Sequence, residues 1–472
     1  MRVLPCLLLA LLSASANATP ITTVPEAAIR QAIALRDQAL KDEKAYAVLE
    51  SLTTEIGPRL AGGVNDQKAR DWAVAKFRAL GYDKVWTEPV TFPKWVRRSE
   101  SAALTAPYAQ QLAVTALGYS PATPKGGITA PLVLFDSLDA LKAAKSEDVK
   151  NKIVFVSTRM HAHQDGHEYG TGSRIRSRGP AIAAQLGAAA FVLRSAGTDS
   201  QRLPHTGMTQ WEPEGRRIPA AAVSNPDADL MEAALRRGQP VLMKLQLDCG
   251  LEGDYTGANV IAEIRGSEKP DEIVILGGHL DSWDLGTGAI DDGAGVAISM
   301  AAGALIGDLP QPPRRTIRVV AFANEEAGLH GGKAYAAAHK HEVAQHVLGA
   351  EADMGGDRIW RLNASVKPEA LPAIDAMMQV LAPLGVSRGS ERANGGPDLS
   401  PMHAEGMAAL SLSNDATRYF DYHHTADDTL DKIDPQQLAQ VVAVYVSWAY
   451  MAAAADGDFG SAPGMFKTAG EN

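Results

Sequence analysis

In the second half of the chain, short apolar runs alternate with stretches of helical periodicity. The apolar runs cover residues 273–276, 317–322, 347–350 and 407–412, and turn or charged residues bound each of them. Runs of this kind are typical of strands that are buried on both faces. Helical patterns follow Asp292, Gly328 and Asp434, and the last one places Asp434 at the N-cap and Pro435 at the first helical position. The pattern predicts an α/β fold in which helices flank a central sheet.

The earlier part of the chain has a different character. Residues 24–56 carry helical patterning, a Gly-rich turn follows at 57–63, and a second helical pattern ends at Gly81. Between about 105 and 250, short β-like runs at 153–156 and 190–193 are separated by Gly, Pro and Ser clusters, and a helical piece precedes Gly187. This change indicates a module that is inserted into the α/β domain.

Length and composition exclude several classes of protein. A chain of 472 residues is longer than one average domain, so more than one lobe is expected. Apolar residues make up 46% and charged residues 21%, which argues against a disordered or fibrous chain. The net charge of -10 and the absence of a basic run exclude a nucleic-acid partner.

The first residues have the pattern of a signal peptide. Arg2 supplies the positive start, residues 7–12 the apolar centre, and Ala16-Asn17-Ala18 a cleavage site of small residues. The apolar stretch is too short to cross a bilayer, and that of the last helix is shorter than the ~20 residues needed. The sequence therefore predicts an exported protein, secreted or periplasmic, without a stable membrane anchor. Loss of Cys6 leaves Cys249 alone, so no intrachain disulfide is expected.

Polar side chains that bind metals follow three of the predicted strands. His279 and Asp281 come after the run at 273–276, Glu325 and Glu326 after 317–322, and Asp353 after 347–350. Ligands of open α/β sheets gather outside the carboxyl ends of the strands. Each residue alone has an ordinary structural explanation, such as a hydrogen-bonded histidine, a turn aspartate or a helix cap. Three strands that end this way form a pattern that indicates one site.

The residue types and their order point to zinc. Imidazole and carboxylate groups are the ligands that Zn²⁺ prefers, and two zinc ions a few ångströms apart can share a bridging carboxylate. Asp291 follows His279 by twelve residues, and the set is completed by Glu325-Glu326, Asp353 and, near the end of the chain, His424. The combination predicts a zinc site.

These motifs resemble those of the co-catalytic zinc exopeptidases of the aminopeptidase Y and carboxypeptidase Q group. The matching segments are Gly278-His279-Leu280-Asp281-Ser282, Asp291-Asp292-Gly293-Ala294-Gly295, Asn324-Glu325-Glu326-Ala327-Gly328-Leu329 and His424-Thr425-x-x-Asp428-Thr429. The resemblance implies the zinc exopeptidase fold, with a mixed central sheet flanked by helices. The module at 105–250 resembles a β-rich protease-associated domain through the segments at 152–155, 187–192 and 218–221.

The resemblance also implies roles for single residues. Asp291 is the expected bridge between two Zn²⁺ ions per chain; the other ligands are His279 and Asp353 for one ion, and Glu326 and His424 for the other. Glu325 is the expected general base, because an unliganded carboxylate beside the metals can take a proton from the water that they activate. Asp281 is expected to orient His279.

His423 departs from the pattern of many relatives, which carry Tyr before the last histidine ligand and use it to stabilise the oxyanion. A histidine can donate the same hydrogen bond through a ring N–H, so His423 is the expected oxyanion donor. The carboxypeptidase Q branch resembles this His-His form, and the segments at 283–289 and 419–423 favour that branch as well.

Other candidate groups have weaker patterns. His161, His163 and His167 form a histidine cluster in the insert; His205 lies in a Pro-His-Thr-Gly segment, interpreted as either a substrate-side or a surface loop; and Asp398 lies in a loop that is near the substrate in relatives. The sequence has no Gly-rich phosphate loop and no Gly-x-Ser-x-Gly elbow, which excludes serine hydrolase chemistry of that type.

The predicted function is hydrolysis of dipeptides or short peptides, with recognition of the amino or the carboxyl end left open. The alternatives are a glutaminyl cyclase-like acyltransferase with a single zinc and a non-catalytic receptor-like protein on the same scaffold. Carboxypeptidase Q relatives imply a homodimer. The predicted domains are a signal peptide (1–18), the first part of the peptidase domain (19–104), the protease-associated insert (105–250), the zinc peptidase domain (251–456) and a flexible tail (457–472).

Overall fold

The structure is a computed structural model that describes residues 21–466. The predicted signal peptide and the last residues of the predicted tail, 467–472, lie outside the described residues. The described part of that tail contacts the body of the protein. Phe459 is fully buried, and its carbonyl accepts a hydrogen bond from the backbone N–H of Lys367 (3.0 Å).

The helices of the described part occur in both lobes. Their bounds are α1 Glu26–Ala39, α2 Lys44–Ser51, α3 Asp66–Ala79, α4 Leu138–Lys142, α5 Ser146–Val149, α6 Tyr169–Gln185, α7 Asn225–Leu235, α8 Ala294–Gly307, α9 His330–His339, α10 Leu371–Leu381, α11 Ser400–Glu405, α12 Tyr419–Tyr422 and α13 Pro435–Ala454. The helical pattern at 24–56 is divided between α1, α2 and a π turn, Leu52–Ile56. Asp42 explains the start of α2, because its carboxylate accepts a hydrogen bond from the backbone N–H of Lys44.

The strands of the described residues form one hydrogen-bonded sheet. Their bounds are β1 Lys84–Ala106, β2 Gln110–Leu112, β3 Val114–Ala116, β4 Ile128–Phe135, β5 Ile153–Val156, β6 Ala190–Arg194, β7 Ala220–Val223, β8 Leu242–Ile264, β9 Lys269–His279, β10 Arg315–Phe322, β11 His346–Glu351, β12 Ile359–Ser365, β13 Ser387–Arg388 and β14 Ala409–Asn414. The order is β13-β12-β14-β11-β9-β10-β8-β4-β5-β6-β7-β3, and β1 pairs with β8 and β2. The predicted mixed central sheet is confirmed.

The centre of the sheet is parallel and buried. Strands β10, β9, β11 and β14 run in one direction, whereas β8 is antiparallel to β10 and β12 is antiparallel to β14. Every residue of β10 and β11 is buried, which is why these strands appear in the sequence as mainly apolar runs. Because β9, β10 and β11 are parallel, their carboxyl ends lie together at one edge of the sheet.

Two apolar helices cover this sheet. α8 is buried along its whole described length except at its last residue, and α13 contacts α1, α8 and α10. Asp434 caps α13 as predicted, since its carboxylate accepts hydrogen bonds from the backbone N–H groups of Gln436 and Gln437. α13 has 20 residues, and its apolar stretch begins at Leu438. The segments Ala289–Gly307 and Pro435–Ala454 have the length and hydropathy of membrane spans, but 100% and 83% of their apolar windows are buried in the protein.

The insert is attached to the peptidase lobe by a long two-stranded ribbon. β1 and β8 are antiparallel partners from Lys84–Glu263 at one end to Ala106–Leu242 at the other, with register shifts near Pro93, Arg97 and Leu104. Each strand therefore begins in one lobe and ends in the other. Beyond the ribbon, β4, β5, β6 and β7 form a parallel sheet, with α6 packed against β6.

Candidate metal centre

The predicted ligands converge at the carboxyl edge of the parallel strands. His279 is the last residue of β9, Glu326 lies in the loop that follows β10, and Asp353 follows β11. Asp291 lies in a π turn, Ala289–Gly293, that leads into α8, and His424 follows α12. The topology thus places on one edge five side chains that are separated by up to 145 residues in the sequence.

Asp291 lies between two groups of donor atoms. Its Oδ1 is 3.0 Å from Nε2 of His279, which in turn is 3.3 Å from Oδ1 of Asp353. Its Oδ2 is 3.1 Å from Nε2 of His424, which is 2.9 Å from Oε2 of Glu326. The two oxygens of one carboxylate therefore face two separate imidazole–carboxylate pairs, as a bridging ligand requires.

The turn that carries Asp291 is held by two other aspartates. The carboxylate of Asp428 accepts hydrogen bonds from the backbone N–H groups of Ile290 (2.6 Å) and Asp291 (3.2 Å). Asp292 accepts bonds from the N–H groups of His279 (2.9 Å) and Gly295 (3.0 Å), so it joins β9 to the first turn of α8. Burial raises the pKa of Asp428 to about 7 and that of Asp292 well above its usual range. Both groups orient the backbone around Asp291.

Asp281 contacts two parts of the site. Its backbone carbonyl lies 3.0 Å from Nδ1 of His279, and its carboxylate is 3.7 Å from the same nitrogen. The carboxylate also accepts hydrogen bonds from the backbone N–H groups of Glu325 (3.0 Å) and Glu326 (3.4 Å). Asp281 thus contacts His279 mainly through its carbonyl and holds the Glu325-Glu326 turn through its side chain.

Glu325 and Glu326 both line the cavity, and Oε2 of Glu326 lies 2.9 Å from Nε2 of His424. Nε1 of Trp283 donates a 2.6 Å hydrogen bond to Oε2 of Glu326 and fixes its direction. Burial, with the nearby carboxylates of Asp353 and Glu326, raises the pKa of Glu325 well above its usual range. A carboxyl group with a raised pKa is a stronger base once it is ionised.

His423 and His424 are stacked, with ring centroids 3.5 Å apart. Nδ1 of His424 lies 3.1 Å from the carbonyl of Thr206, which leaves Nε2 free to face Glu326 and Asp291. Nε2 of His423 lies 3.4 Å from Asp291, and its buried Nδ1 has no hydrogen-bond partner among residues 21–466. Burial and the adjacent His424 lower the pKa of His423 well below its usual value, so the ring is neutral and carries one N–H.

The donor groups fit metal cations. Two sets of donor groups each combine imidazole and carboxylate atoms about 3 Å apart. One set is His279, Asp353 and Oδ1 of Asp291, and the other is His424, Glu326 and Oδ2 of Asp291. Buried carboxylates at such separations repel one another unless cations lie between them. Oε1 of Glu326 is also buried without a partner in the described part of the chain.

A cavity of about 440 Å³ opens over these groups. One wall comes from the peptidase lobe and includes Glu325, Met354 and Tyr419; the other comes from the insert and includes Tyr169, Arg176 and Met208. The residues of the insert wall, Tyr169, Arg176 and Met208, were not predicted from the sequence. Nothing in their local sequence marks them, and only the three-dimensional packing brings α6 to the metal-ligand edge.

Arg176 is the one Lys or Arg side chain among the described residues that line this cavity. Its side chain packs over Gly207, where an added Cβ would overlap the guanidinium group, and only 9% of the residue is exposed. Nη1 lies 3.4 Å from the carbonyl of Thr206 and 3.3 Å from Nδ1 of His424, and the buried Nε has no partner in residues 21–466. The cavity wall therefore contains a largely buried cation next to a predicted metal ligand.

The remaining candidates from the sequence have different positions. His205 is buried rather than on a surface loop and contacts the carbonyl of His423. Asp398 is fully buried and accepts a hydrogen bond from the N–H of Gly332, while its neighbour Pro397 lines the cavity. His161 and His163 lie on the insert surface, where both contact the carboxylate of Glu168. His167 contacts Asp165 instead.

Comparison with known proteins adds the wider context. The model of peptidase family M28 matches residues 259–449, and the model of the PA domain matches residues 128–231. Carboxypeptidase Q from Bos taurus is 33% identical over 410 residues, which are 87% of this chain and 85% of that protein. A crystal structure of a peptidase M28 precursor from Shewanella amazonensis is 49% identical, with a TM-score of 0.88 over 90% of this chain and 96% of that one. BSAP, a zinc aminopeptidase from Bacillus subtilis, is 20% identical, with a TM-score of 0.61 over 86% and 94%, and shares the fold.

Proposed function

This chain belongs to peptidase family M28, as its motifs predicted, and on that basis we propose that it is an exported exopeptidase that hydrolyses dipeptides or short peptides at two zinc ions. The proposal rests on the position of Asp291, whose two carboxylate oxygens face two separate donor pairs. Glu325 lines the same cavity and belongs to neither pair.

The expected chemistry divides between the metals and the chain. Zinc, when bound, supplies Lewis-acid activation of water and of the peptide carbonyl. Glu325 would take the proton of the attacking water and pass it to the leaving amine, because it is the cavity-lining carboxylate outside both donor pairs. The neutral ring of His423 would donate its N–H to the oxygen of the substrate carbonyl as negative charge develops there.

Arg176 indicates which end of the substrate is recognised. The carboxylates that line the cavity, among the described residues, are the proposed ligands Asp291, Glu326 and Asp353 and the proposed base Glu325, so a substrate ammonium has no carboxylate reserved for it. A substrate carboxylate has Arg176, the Lys or Arg cation among the described residues that line the cavity. Charge-assisted bonds of arginine to carboxylates are among the stronger polar contacts. We therefore propose a free carboxyl end on the substrate, as in a carboxypeptidase or dipeptidase.

The Arg176→Gln variant tests this assignment. It removes the cation but keeps a polar side chain, so kcat/KM for free dipeptides should fall by about 10–100-fold, the range for losing a hydrogen bond to a charged group. The fall should reside mainly in KM, and the same dipeptides with an amidated carboxyl end should be poor substrates for both proteins. Steady-state kinetics on free, amidated and N-acetylated dipeptides would measure all three effects.

Arg178→Gln is the matched control, because Arg178 lies on the same helix and is exposed. It should leave the kinetics of every substrate unchanged. If the wild-type protein hydrolysed amidated dipeptides as fast as free ones but failed on N-acetylated ones, recognition of the carboxyl end would be disproved and the aminopeptidase alternative favoured.

The two other functions considered from the sequence predict different results. A glutaminyl cyclase-like acyltransferase would contain one zinc per chain and would cyclise an amino-terminal glutamine. A receptor-like protein would show no turnover. The complete donor set around both oxygens of Asp291 favours the peptidase, and zinc content together with turnover of a dipeptide panel would separate the three functions.

Export can be tested on protein recovered from its host. If residues 1–18 are removed as a signal peptide, the mature chain should begin at or near Thr19. Amino-terminal sequencing of the secreted or periplasmic fraction would measure this. A recovered chain that keeps residues 7–12, or one that stays with membranes after a carbonate wash, would disprove export by cleavage.

A further inference from the structure

The insert makes a continuous set of hydrogen bonds to the segment that carries His423 and His424. The N–H of Thr198 donates to the carbonyl of Phe420 (3.1 Å), and the N–H of Thr206 donates to the carbonyl of His424 (3.0 Å). The carbonyl of Thr206 accepts from Nδ1 of His424 at 3.1 Å. The carbonyl of His423 accepts from Nδ1 of His205 at 2.7 Å.

His205 also contacts a carboxylate. Its Nε2 lies 2.7 Å from Oδ2 of Asp199, and both side chains are almost completely buried, with exposures of 0% and 2%. Asp199 accepts further bonds from the N–H of Gln201 (2.7 Å) and from Nδ2 of Asn225 (3.2 Å). A backbone carbonyl can only accept a hydrogen bond. Nδ1 of His205 must therefore carry a proton, which it donates to the carbonyl of His423.

The packing around the ring is close. Gly197 lies against the imidazole of His205, and an added Cβ at that position would overlap the ring. The hydroxyl of Ser195 accepts a 2.8 Å hydrogen bond from the backbone N–H of His205. Contacts to the backbone N–H, to one face of the ring and to both ring nitrogens therefore fix the position of the His205 imidazole.

We infer that His205 and Asp199 of the insert are positioning residues for the metal centre. Nδ1 of His205 donates a hydrogen bond to the carbonyl of His423, and the carbonyl of Thr206 accepts one from the ring of His424. Through these two bonds the insert orients both imidazoles at the cavity. This inference rests on the proposed function, in which His424 binds zinc and His423 donates to the oxyanion. It extends that function, because part of the support of a zinc ligand comes from the insert rather than from the peptidase lobe.

Two substitutions of His205 distinguish positioning from simple packing. The amide nitrogen of His205→Asn occupies nearly the place of Nδ1, so this variant keeps a donor for the carbonyl of His423 and loses the bond to Asp199. The amide of His205→Gln reaches the place of Nε2, so it keeps a partner for Asp199 and loses the carbonyl of His423. A purely packing role would make the smaller Asn the more harmful change.

His205→Gln is expected to be the more impaired variant, by about tenfold or more in kcat with little change in KM, since loss of a group that orients metal ligands typically costs about 10–100-fold. Zinc retained after dialysis against a fixed concentration of a weak chelator should fall toward one ion per chain in His205→Gln and stay closer to the wild-type value in His205→Asn. His167→Asn is the control: His167 contacts Asp165 at the same 2.7 Å, but both side chains are exposed, and neither readout should change.

Imidazole nitrogen NMR of the zinc-loaded wild-type protein provides a second measurement. The His205 signals, assigned by their loss in His205→Asn, should show a proton on Nδ1. An unprotonated Nδ1 would overturn the inference, and so would equal kcat and equal zinc retention in the two variants. A wild-type protein without zinc or dipeptide turnover would instead disprove the proposed function, so the two failures are distinguishable.

Discussion

Replacing Glu325 by glutamine is expected to lower kcat by about 10²–10⁴-fold, the range typical of losing a general base. The substitution keeps the size and polarity of the side chain but removes the negative charge that accepts the water proton. KM should change much less, because Glu325 belongs to neither of the donor pairs around Asp291. Steady-state kinetics on a free dipeptide, with zinc content measured on the same sample, would test the expectation.

The neighbouring residue is the matched control. Glu326→Gln should lower zinc occupancy, because Oε2 of Glu326 lies 2.9 Å from Nε2 of His424 in one of the two donor pairs. Glu325→Gln should instead keep zinc near the wild-type value. Equal loss of metal in the two variants, or near-normal kcat in Glu325→Gln, would show that the roles of these adjacent carboxylates are wrongly assigned.

The second large effect is expected for Asp291→Ala. The wild-type protein should contain close to two zinc ions per chain, and a chelator should remove both the ions and the activity. Since the two oxygens of Asp291 face different donor pairs, its loss should lower the occupancy of both ions, whereas Asp353→Ala or His424→Ala should affect mainly one.

Elemental analysis of the dialysed variants would measure these differences. A fully active wild-type protein with a single tightly bound zinc would contradict the two-metal proposal. A variant Asp291→Ala that lost no more metal than Asp353→Ala would contradict the bridging role. Asp428→Asn is a useful comparison, because it keeps the size of the group that holds the Asp291 turn and leaves all donor atoms in place.

Much of the peptidase lobe was predictable because its strands are buried on both faces. Burial on both faces favours apolar residues, so β9, β10 and β11 contain short, mainly apolar runs, and the polar residues after them mark the ligand edge. The family motifs then indicated which of these polar residues share a metal. Asp434 and Pro435 likewise marked the start of α13 through local chemistry alone.

The ribbon and the insert wall were not predictable in the same way. β1 contains Pro89 and Pro93, which normally argue against a strand, but apart from a short contact with β2 it pairs on one side only, so the missing N–H groups are tolerated. Arg176, His205 and Thr206 contact His423 or His424, more than 200 residues later in the chain. No periodicity within the insert encodes such contacts.

The division of the cavity between two lobes has a consequence for redesign. The residues proposed for bond cleavage belong to the sheet edge, while Arg176, proposed to select the substrate, belongs to α6 of the insert. Substrate preference can therefore be sought by randomising the cavity-facing positions of one helix without altering a metal ligand. A transplanted insert from another protein, however, must also present a carbonyl and a histidine where Thr206 and His205 now lie, so these modules are exchangeable only together with that loop.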